Sequence, residues 1–226
     1  MAPPTLWAAN DSLETLAMWV GTGRDRLFVL LLGSAVLIAF AGSVQGAKFN
    51  RKVDLGQPAP KFTGLLGTDG KSHSLEDYKS AKVLVIAFTC NHCPVAQMYE
   101  DRFIRFANAQ KKRGVVFIAI SSSLLPPDSP EKMRERATQK GFPFDYLSDP
   151  SQEAGRAYGA TVTPQLFVLD RERNIAYMGK FDDDIEPEKV HRSYVREAVH
   201  ALLDGKRPDP SETRATGCGI EYGKPQ

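Results

Sequence analysis

Apolar and polar residues fall into blocks along this chain, and the blocks predict its elements. Lys82 is followed by Val83-Leu-Val-Ile-Ala-Phe88, a continuous apolar run of the length expected for a strand buried on both faces of a sheet. Val115-Val-Phe-Ile-Ala-Ile120 is a second such run. Between them, Pro94 to Arg113 carries Val95, Tyr99, Phe103 and Phe106 at helical spacing and stops at Gly114, so the order predicts a parallel crossover. Ser129-Pro130-Glu131 opens another helix with a Ser cap and a Pro in the first turn. Phe144 to Leu147 reads as a short strand, and Asp149-Pro-Ser-Gln152 as the capping-box start of a helix ending near Gly159. Gln165 to Leu169 and Ile175 to Gly179 flank a polar turn and predict a hairpin. Pro187 to Leu203 reads as one last helix with Val190, Tyr194, Val195, Ala198 and Leu202 on its apolar side. Upstream, Leu65 to Ser74 forms a hairpin pattern around Asp69-Gly70, and Ser74-Leu-Glu-Asp77 a short helix start. The order is that of an α/β domain.

Ahead of this domain, Leu27 to Ala41 is an uncharged apolar run preceded by Arg24 and Arg26 and followed by small residues up to Ala47. At 1.5 Å per residue such a run spans roughly 23 Å against a hydrocarbon thickness of roughly 30 Å. That favours a cleavable signal segment over a retained membrane anchor, with cleavage between Gly46 and Ala47. Residues 1–23 hold Asp11 and Glu14 and no basic group, which suits a leader poorly and makes Met18 the expected start. The organisation expected is a signal peptide or anchor over 1–46, one domain over 47–205, and a Pro/Gly-rich tail over 206–226. Removing 1–46 discards Trp7 and Trp19 and keeps all three cysteines, placing them outside the cytoplasm, in the periplasm or beyond, where disulfides persist.

Composition narrows the function classes. Of 226 residues 25% are charged, with a net charge of +2 and no basic stripe, so no nucleic-acid partner is expected. The chemistry sits at Cys90-Asn91-His92-Cys93, directly after the first apolar run and at the start of the predicted helix. Exposed N–H groups and the positive end of a helix favour a thiolate, and Cys90, read as the residue at the helix cap, is the attacking sulfur. Cys93, one turn on, attacks a mixed disulfide formed at Cys90 and closes a Cys90-Cys93 bond. His92 can set positive charge or a donor beside that thiolate and so make the pair more oxidising.

Metals and cofactors are not expected. Zinc lacks a second Cys-x-x-Cys, and His73, His191 and His200 have no ligand-like spacing to one another. A Cu(I) chaperone would use Cys90, Cys93 and His191 or His200, since thiolates suit Cu(I). Covalent haem needs His after the second Cys, where Pro94 stands. Asp182-Asp183-Asp184 reads as a solvated acidic loop.

Strand, Cys-x-x-Cys and helix, with Thr163-Pro164 about seventy residues later, resemble the thioredoxin superfamily. The resemblance implies a thioredoxin-like fold: a central mixed sheet flanked by helices, with an N-terminal hairpin and an inserted helix-strand unit. It also implies a cis Pro164 facing the cysteines, with the backbone at Thr163 pairing with an extended substrate. Gly56-Gln-Pro-Ala-Pro60-Lys-Phe62, Phe88-Thr-Cys-Asn-His-Cys-Pro94, Asp128-Ser-Pro-Glu-Lys-Met133 and Gly217-Cys218-Gly-Ile-Glu-Tyr222 are similar to a redoxin, peroxiredoxin-like subgroup of that superfamily. Two departures stand out. Thr89 occupies the position of the usual Trp, and Val83 to Phe88 carries no carboxylate to take a proton. Peroxiredoxins place Pro and Thr/Ser seven and three residues before the reactive Cys, and those positions are Val83 and Ala87. The expectation is an exported thiol:disulfide oxidoreductase using Cys90 and Cys93, with Thr163 and Pro164 holding a thiol- or disulfide-containing protein or a small thiol. A thiol peroxidase with Cys93 or Cys218 resolving is second, and a Cu(I) chaperone or a non-catalytic binding module follows. Cys218 is the odd cysteine: a resolving thiol, an intermolecular bridge or a buried inert group.

Overall fold

The computed structural model describes residues 46–224; the Leu27 to Ala41 segment and the Met18 start lie outside the described residues. Among the described residues, nine strands and four α-helices follow in order: β1 Leu65–Gly67, β2 Ser72–His73, β3 Val83–Phe88, α1 Pro94–Gln110, β4 Val115–Ser121, α2 Pro130–Lys140, β5 Asp145–Ser148, α3 Glu153–Tyr158, β6 Val162–Thr163, β7 Gln165–Leu169, β8 Ile175–Gly179, α4 Tyr194–Leu203 and β9 Cys218–Gly219. Seven strands make one mixed sheet in the order β2-β1-β5-β4-β3-β7-β8, and β6 pairs separately with β9. β3 runs parallel to β4 and antiparallel to β7, so it sits at the centre.

The pleat of β3 explains its unbroken apolar sequence. Leu84, Ile86 and Phe88 join one core with Phe167, Tyr158 and Ala154, while Val83, Val85 and Ala87 join the other with Phe103, Phe117 and Val199. Both faces are covered, by α3 and the segment before β3 on one side and by α1, α2 and α4 on the other, so alternation would leave a polar group buried. Each large apolar side chain placed there contributes on the order of 1.5–3 kcal/mol.

Local signals predict most boundaries. Asp69-Gly70 turns the first hairpin, with Gly70 at φ 81°. The Ser129 side chain accepts from Lys132 N–H and caps α2, with Pro130 in the first turn. Three expectations need correction, each for a long-range reason. The last helix does not run from Pro187. Only Pro187–Lys189 coil as a 3₁₀ turn, Val190 is extended, and α4 starts at Tyr194. The intervening backbone is taken by Asp183, whose carboxylate accepts from His191 N–H (3.0 Å) and whose N–H donates to the Arg192 carbonyl (3.1 Å).

The Asp149-Gln152 capping box does not form. The Asp149 carboxylate accepts from the Ser122 hydroxyl (2.7 Å) and the Gly155 N–H (3.0 Å), and Gln152, at φ 61°, turns its amide to the Ser122 and Glu221 carbonyls. The Asp182 to Asp184 stretch is not a solvated loop either. Asp182 is buried and accepts from Arg102 at 2.7 Å, and the same guanidinium reaches the Asp184 and Ile185 carbonyls and lies over the Tyr99 ring.

The tail after Gly205 returns across the domain as a strap. Glu212 accepts from the N–H groups of Lys48, Phe49 and Asn50, and Thr213 bonds Met178 and the Tyr177 hydroxyl. Farther on, Ile220 N–H donates to the Thr161 carbonyl and the Tyr222 hydroxyl to the Ala160 carbonyl. These bonds carry Cys218 from the chain end to the mouth of the sheet.

Candidate redox site

The site lies at the C-terminal ends of β3 and β4, where parallel strands open onto loops. β3 ends at Phe88, and the chain crosses Thr89-Cys90-Asn91-His92 before α1 begins at Pro94. Pro94 sets the helix start, because its fixed φ and missing N–H suit the first helical position. Cys93 is therefore the cap, its sulfur accepting from Ala96 N–H at 3.3 Å, and Cys90 lies three residues ahead of it. This corrects the expectation that Cys90 holds the capping position.

Cys90 is a free thiol and only 3% exposed. Its sulfur is 3.4 Å from the Thr163 hydroxyl and 4.0 Å from His92 Nε2. Burial pushes the thiol up from its ordinary range, the Thr163 hydroxyl works against that shift, and the negative charge of Asp128 adds to it. At neutral pH Cys90 is then held mainly as the thiol and needs a base to attack.

His92 supplies the geometry for one. Its Nδ1 is 2.5 Å from the Asp128 carboxylate, which fixes the ring with Nε2 toward Cys90. Asp128 is itself buried and also accepts from Asn91 N–H (2.5 Å), His92 N–H (3.3 Å) and the Ser123 hydroxyl (2.6 Å). Asn91 is locked between the Tyr146 hydroxyl and the Pro127 carbonyl. Sequence reasoning placed Asp128 only within a shared motif, not in the site. Its position after β4, beside the loop after β3, was the available signal, since ligands in open α/β sheets bind at strand C-termini.

Opposite the motif, the Thr163-Pro164 peptide bond is cis and Thr163 faces the cysteines. The expected Cys90-Cys93 bond is not the one present. Cys93 is bonded to Cys218, 125 residues away, with Cα atoms 6.0 Å apart. The reason is strand pairing: β9 lies antiparallel to β6 with Cys218 opposite Thr163, and the Thr163 carbonyl is 3.3 Å from the Cys93 sulfur. Gly217 makes this approach possible, since a Cβ there would collide with the Thr163 carbonyl. All three sulfurs thus gather around one residue.

Cys90 opens to a cavity of about 290 Å³, also lined by His92, Leu124, Thr163, Ile220 and Tyr222. The strap forms one wall of it. Cys90, His92 and Asp128 offer ligand atoms within 4.8 Å of one another, but the Asp128 oxygens are already engaged by four donors. The copper set fares no better. Cys93 is in a disulfide, and His200 borders a different cavity with Arg102 and Arg196, while neither it nor His191 lines that of Cys90.

The family model for Redoxin matches residues 54–194. The chain is 26% identical over 199 residues to the chloroplastic peroxiredoxin Q of Populus jackii, covering 82% of this chain and 87% of that one. Among solved structures it is similar to an uncharacterized conserved protein from Geobacillus kaustophilus, with 36% identity and a TM-score of 0.72 over 77% of this chain and 95% of that one. A hypothetical protein from Sinorhizobium meliloti gives 31% identity and a TM-score of 0.71 over 77% of this chain and 98% of that one. The matched span holds Cys90, Cys93, Asp128 and Thr163-Pro164, and stops short of Cys218. With this thioredoxin-like α/β fold, the chain belongs to the redoxin family of the thioredoxin superfamily and is a redox enzyme.

Proposed function

We propose that this redoxin is a thiol:disulfide oxidoreductase in which Cys90 attacks, with His92 as its base. In the reduced enzyme Cys90 gives its proton to His92 Nε2 and attacks a partner disulfide. A Cys90-partner bond forms, the partner's S–S bond breaks, and one partner thiol leaves. Cys93 then attacks Cys90, forming Cys90-Cys93 and releasing the second thiol. Thr163 and Pro164 hold the partner's backbone beside the sulfurs. The observation that carries this reading is that Cys90 is the free thiol, at the cavity, within reach of Thr163 and His92 and beside a disulfide. Insulin-disulfide reduction tests it: loss in Cys90→Ser is expected, and wild-type turnover in that variant would sink the idea.

A thiol peroxidase is the second reading, supported by the similarity to a peroxiredoxin Q. Against it, Val83 and Ala87 are buried apolar groups of β3 and offer no donor to a peroxide. Peroxide consumption that survives Cys93→Ser and is lost in Cys218→Ser would move the assignment to it.

Export, with cleavage after Gly46, is part of the same proposal and rests on the Leu27 to Ala41 pattern. N-terminal sequencing of the extracytoplasmic protein is expected to begin at Ala47; a membrane-bound chain retaining Leu27 to Ala41 would overturn it.

A further inference from the structure

Cys218 stands outside the residues matched to the family, yet it is the most elaborately positioned of the three cysteines. Its strand pairs with the Val162–Thr163 edge, Gly217 lets the backbones meet, and Tyr222, Glu221 and Gly223 are tied to Ala160 and Gln152 just beyond it. Gly155 also leaves room for the strap, because a Cβ there would meet the Ser122 hydroxyl at 2.5 Å and the Tyr222 hydroxyl at 2.6 Å. An inert or merely buried thiol requires none of this. The disulfide itself joins Cys218 to Cys93, the sulfur that closes the exchange at Cys90.

We propose that Cys218 is a third catalytic cysteine, which takes the disulfide over from the Cys90-Cys93 pair and, in doing so, seats the C-terminal strap on the Val162–Thr163 edge. The step rests on Cys90 being the point of attack. The Cys218 thiol loses its proton to solvent and the thiolate attacks the Cys93 sulfur. The Cys93-Cys218 bond forms, the Cys90-Cys93 bond breaks, and Cys90 leaves as a thiolate that recovers a proton from protonated His92. One disulfide and one thiol are present before and after, so no external oxidant is consumed; the oxidising equivalents came from the partner disulfide.

Two consequences follow for the substrate. With the strap seated, the β6 edge is occupied, and Cys90 is reached through a cavity of about 290 Å³ that admits a small thiol or disulfide and not an added strand. With Cys218 reduced and the strap released, the same edge is free to pair with an extended cysteine-containing peptide. The strap acts as an internal stand-in for that peptide.

The test follows the three sulfurs in the full-length protein. The reduced chain is mixed with one equivalent of oxidised glutathione, quenched in acid at intervals, alkylated and mapped by mass spectrometry. The expected order is glutathione on Cys90, then Cys90-Cys93, then Cys93-Cys218 with Cys90 alkylated as the end state. Gly217→Ala keeps all three sulfurs and is expected to stop at Cys90-Cys93, as is Cys218→Ser. Alkylated Cys218 at every time point in the wild type would overturn the relay, as would Cys93-Cys218 forming at the wild-type rate in Cys90→Ser. If insulin reduction is lost in Cys90→Ser while Cys218 stays alkylated, the relay fails alone. If Cys90→Ser still reduces insulin, the underlying reading fails with it.

Discussion

His92 Nδ1 lies 2.5 Å from the carboxylate of Asp128, and the opposite nitrogen of the same ring faces the Cys90 sulfur at 4.0 Å. A thiol whose pKa is raised by burial is thereby matched to an imidazole held in one orientation. In the mechanism we propose, attack is a general-base step without a standing thiolate.

The alkylation of Cys90 by iodoacetamide should reflect this. An ordinary cysteine titrates near about 8.5. Burial raises Cys90, so its reactivity should climb with pH throughout the neutral range and level off only above that value. A plateau reached below pH 7 would show that local charge overrides burial. Following the wild-type, His92→Ala and Thr163→Val proteins separates the contributions. Losing the Thr163 hydroxyl, which opposes the rise, should move the inflection further up.

His92→Ala should lower kcat for disulfide reduction about 100-fold, the lower end of what a positioned base contributes, with little change in KM. Asp128→Asn leaves the imidazole in place without its anionic partner, and a loss of about tenfold is expected, confined to kcat. Steady-state kinetics at fixed pH decide this. Equal losses in KM would assign both residues to substrate binding.

Substrate pairing at β6 predicts that Thr163 and Pro164 matter more for large partners than for small ones. Pro164→Ala should raise KM for a protein disulfide roughly tenfold while changing the rate with a small aromatic disulfide by less than about twofold, since backbone hydrogen bonds to an extended chain are lost only in the first case. Equal effects on both substrates would remove the groove from the mechanism.

Arg102 of α1 and Asp182, which follows β8, form a buried ion pair. Removing one partner strands the other charge and costs about 3–5 kcal/mol. Thermal unfolding of Asp182→Ala should therefore fall by roughly 10 °C at the 2–4 °C per kcal/mol expected for a domain of this size. An unchanged Tm would mean that solvent reaches Arg102 readily. Reactivity of Cys90 should be unaffected.

Where neighbours in sequence carry the information, reading the chain was enough. Val83–Phe88 and Val115–Ser121 are strands because six apolar residues in a row have to be covered on both faces, and the Gln165–Leu169 and Ile175–Gly179 hairpin falls where the polar turn predicts it. The last helix and the Asp149 turn depart from the local pattern, because Asp183 and Asp149 bond to groups that no local window contains.

The site divides in the same way. Cys90, His92 and Cys93 are legible as a motif because they share one short segment whose chemistry is local, whereas Thr163-Pro164 follows only from the resemblance to the thioredoxin superfamily. Asp128 was visible only as part of a pattern, since what makes it a partner of His92 is the adjacency of the loops after β3 and β4.

By itself, the sequence determined that this protein has an α/β sheet with a Cys-x-x-Cys motif at a strand end, because hydrophobic period and turn chemistry act over a few residues. Only the tertiary structure decided which sulfurs meet. The pairing of Cys93 with Cys218 spans 125 residues and depends on a strap aligned by β6, Glu212, Gln152 and Tyr222, so no property of either cysteine's own neighbourhood could specify it.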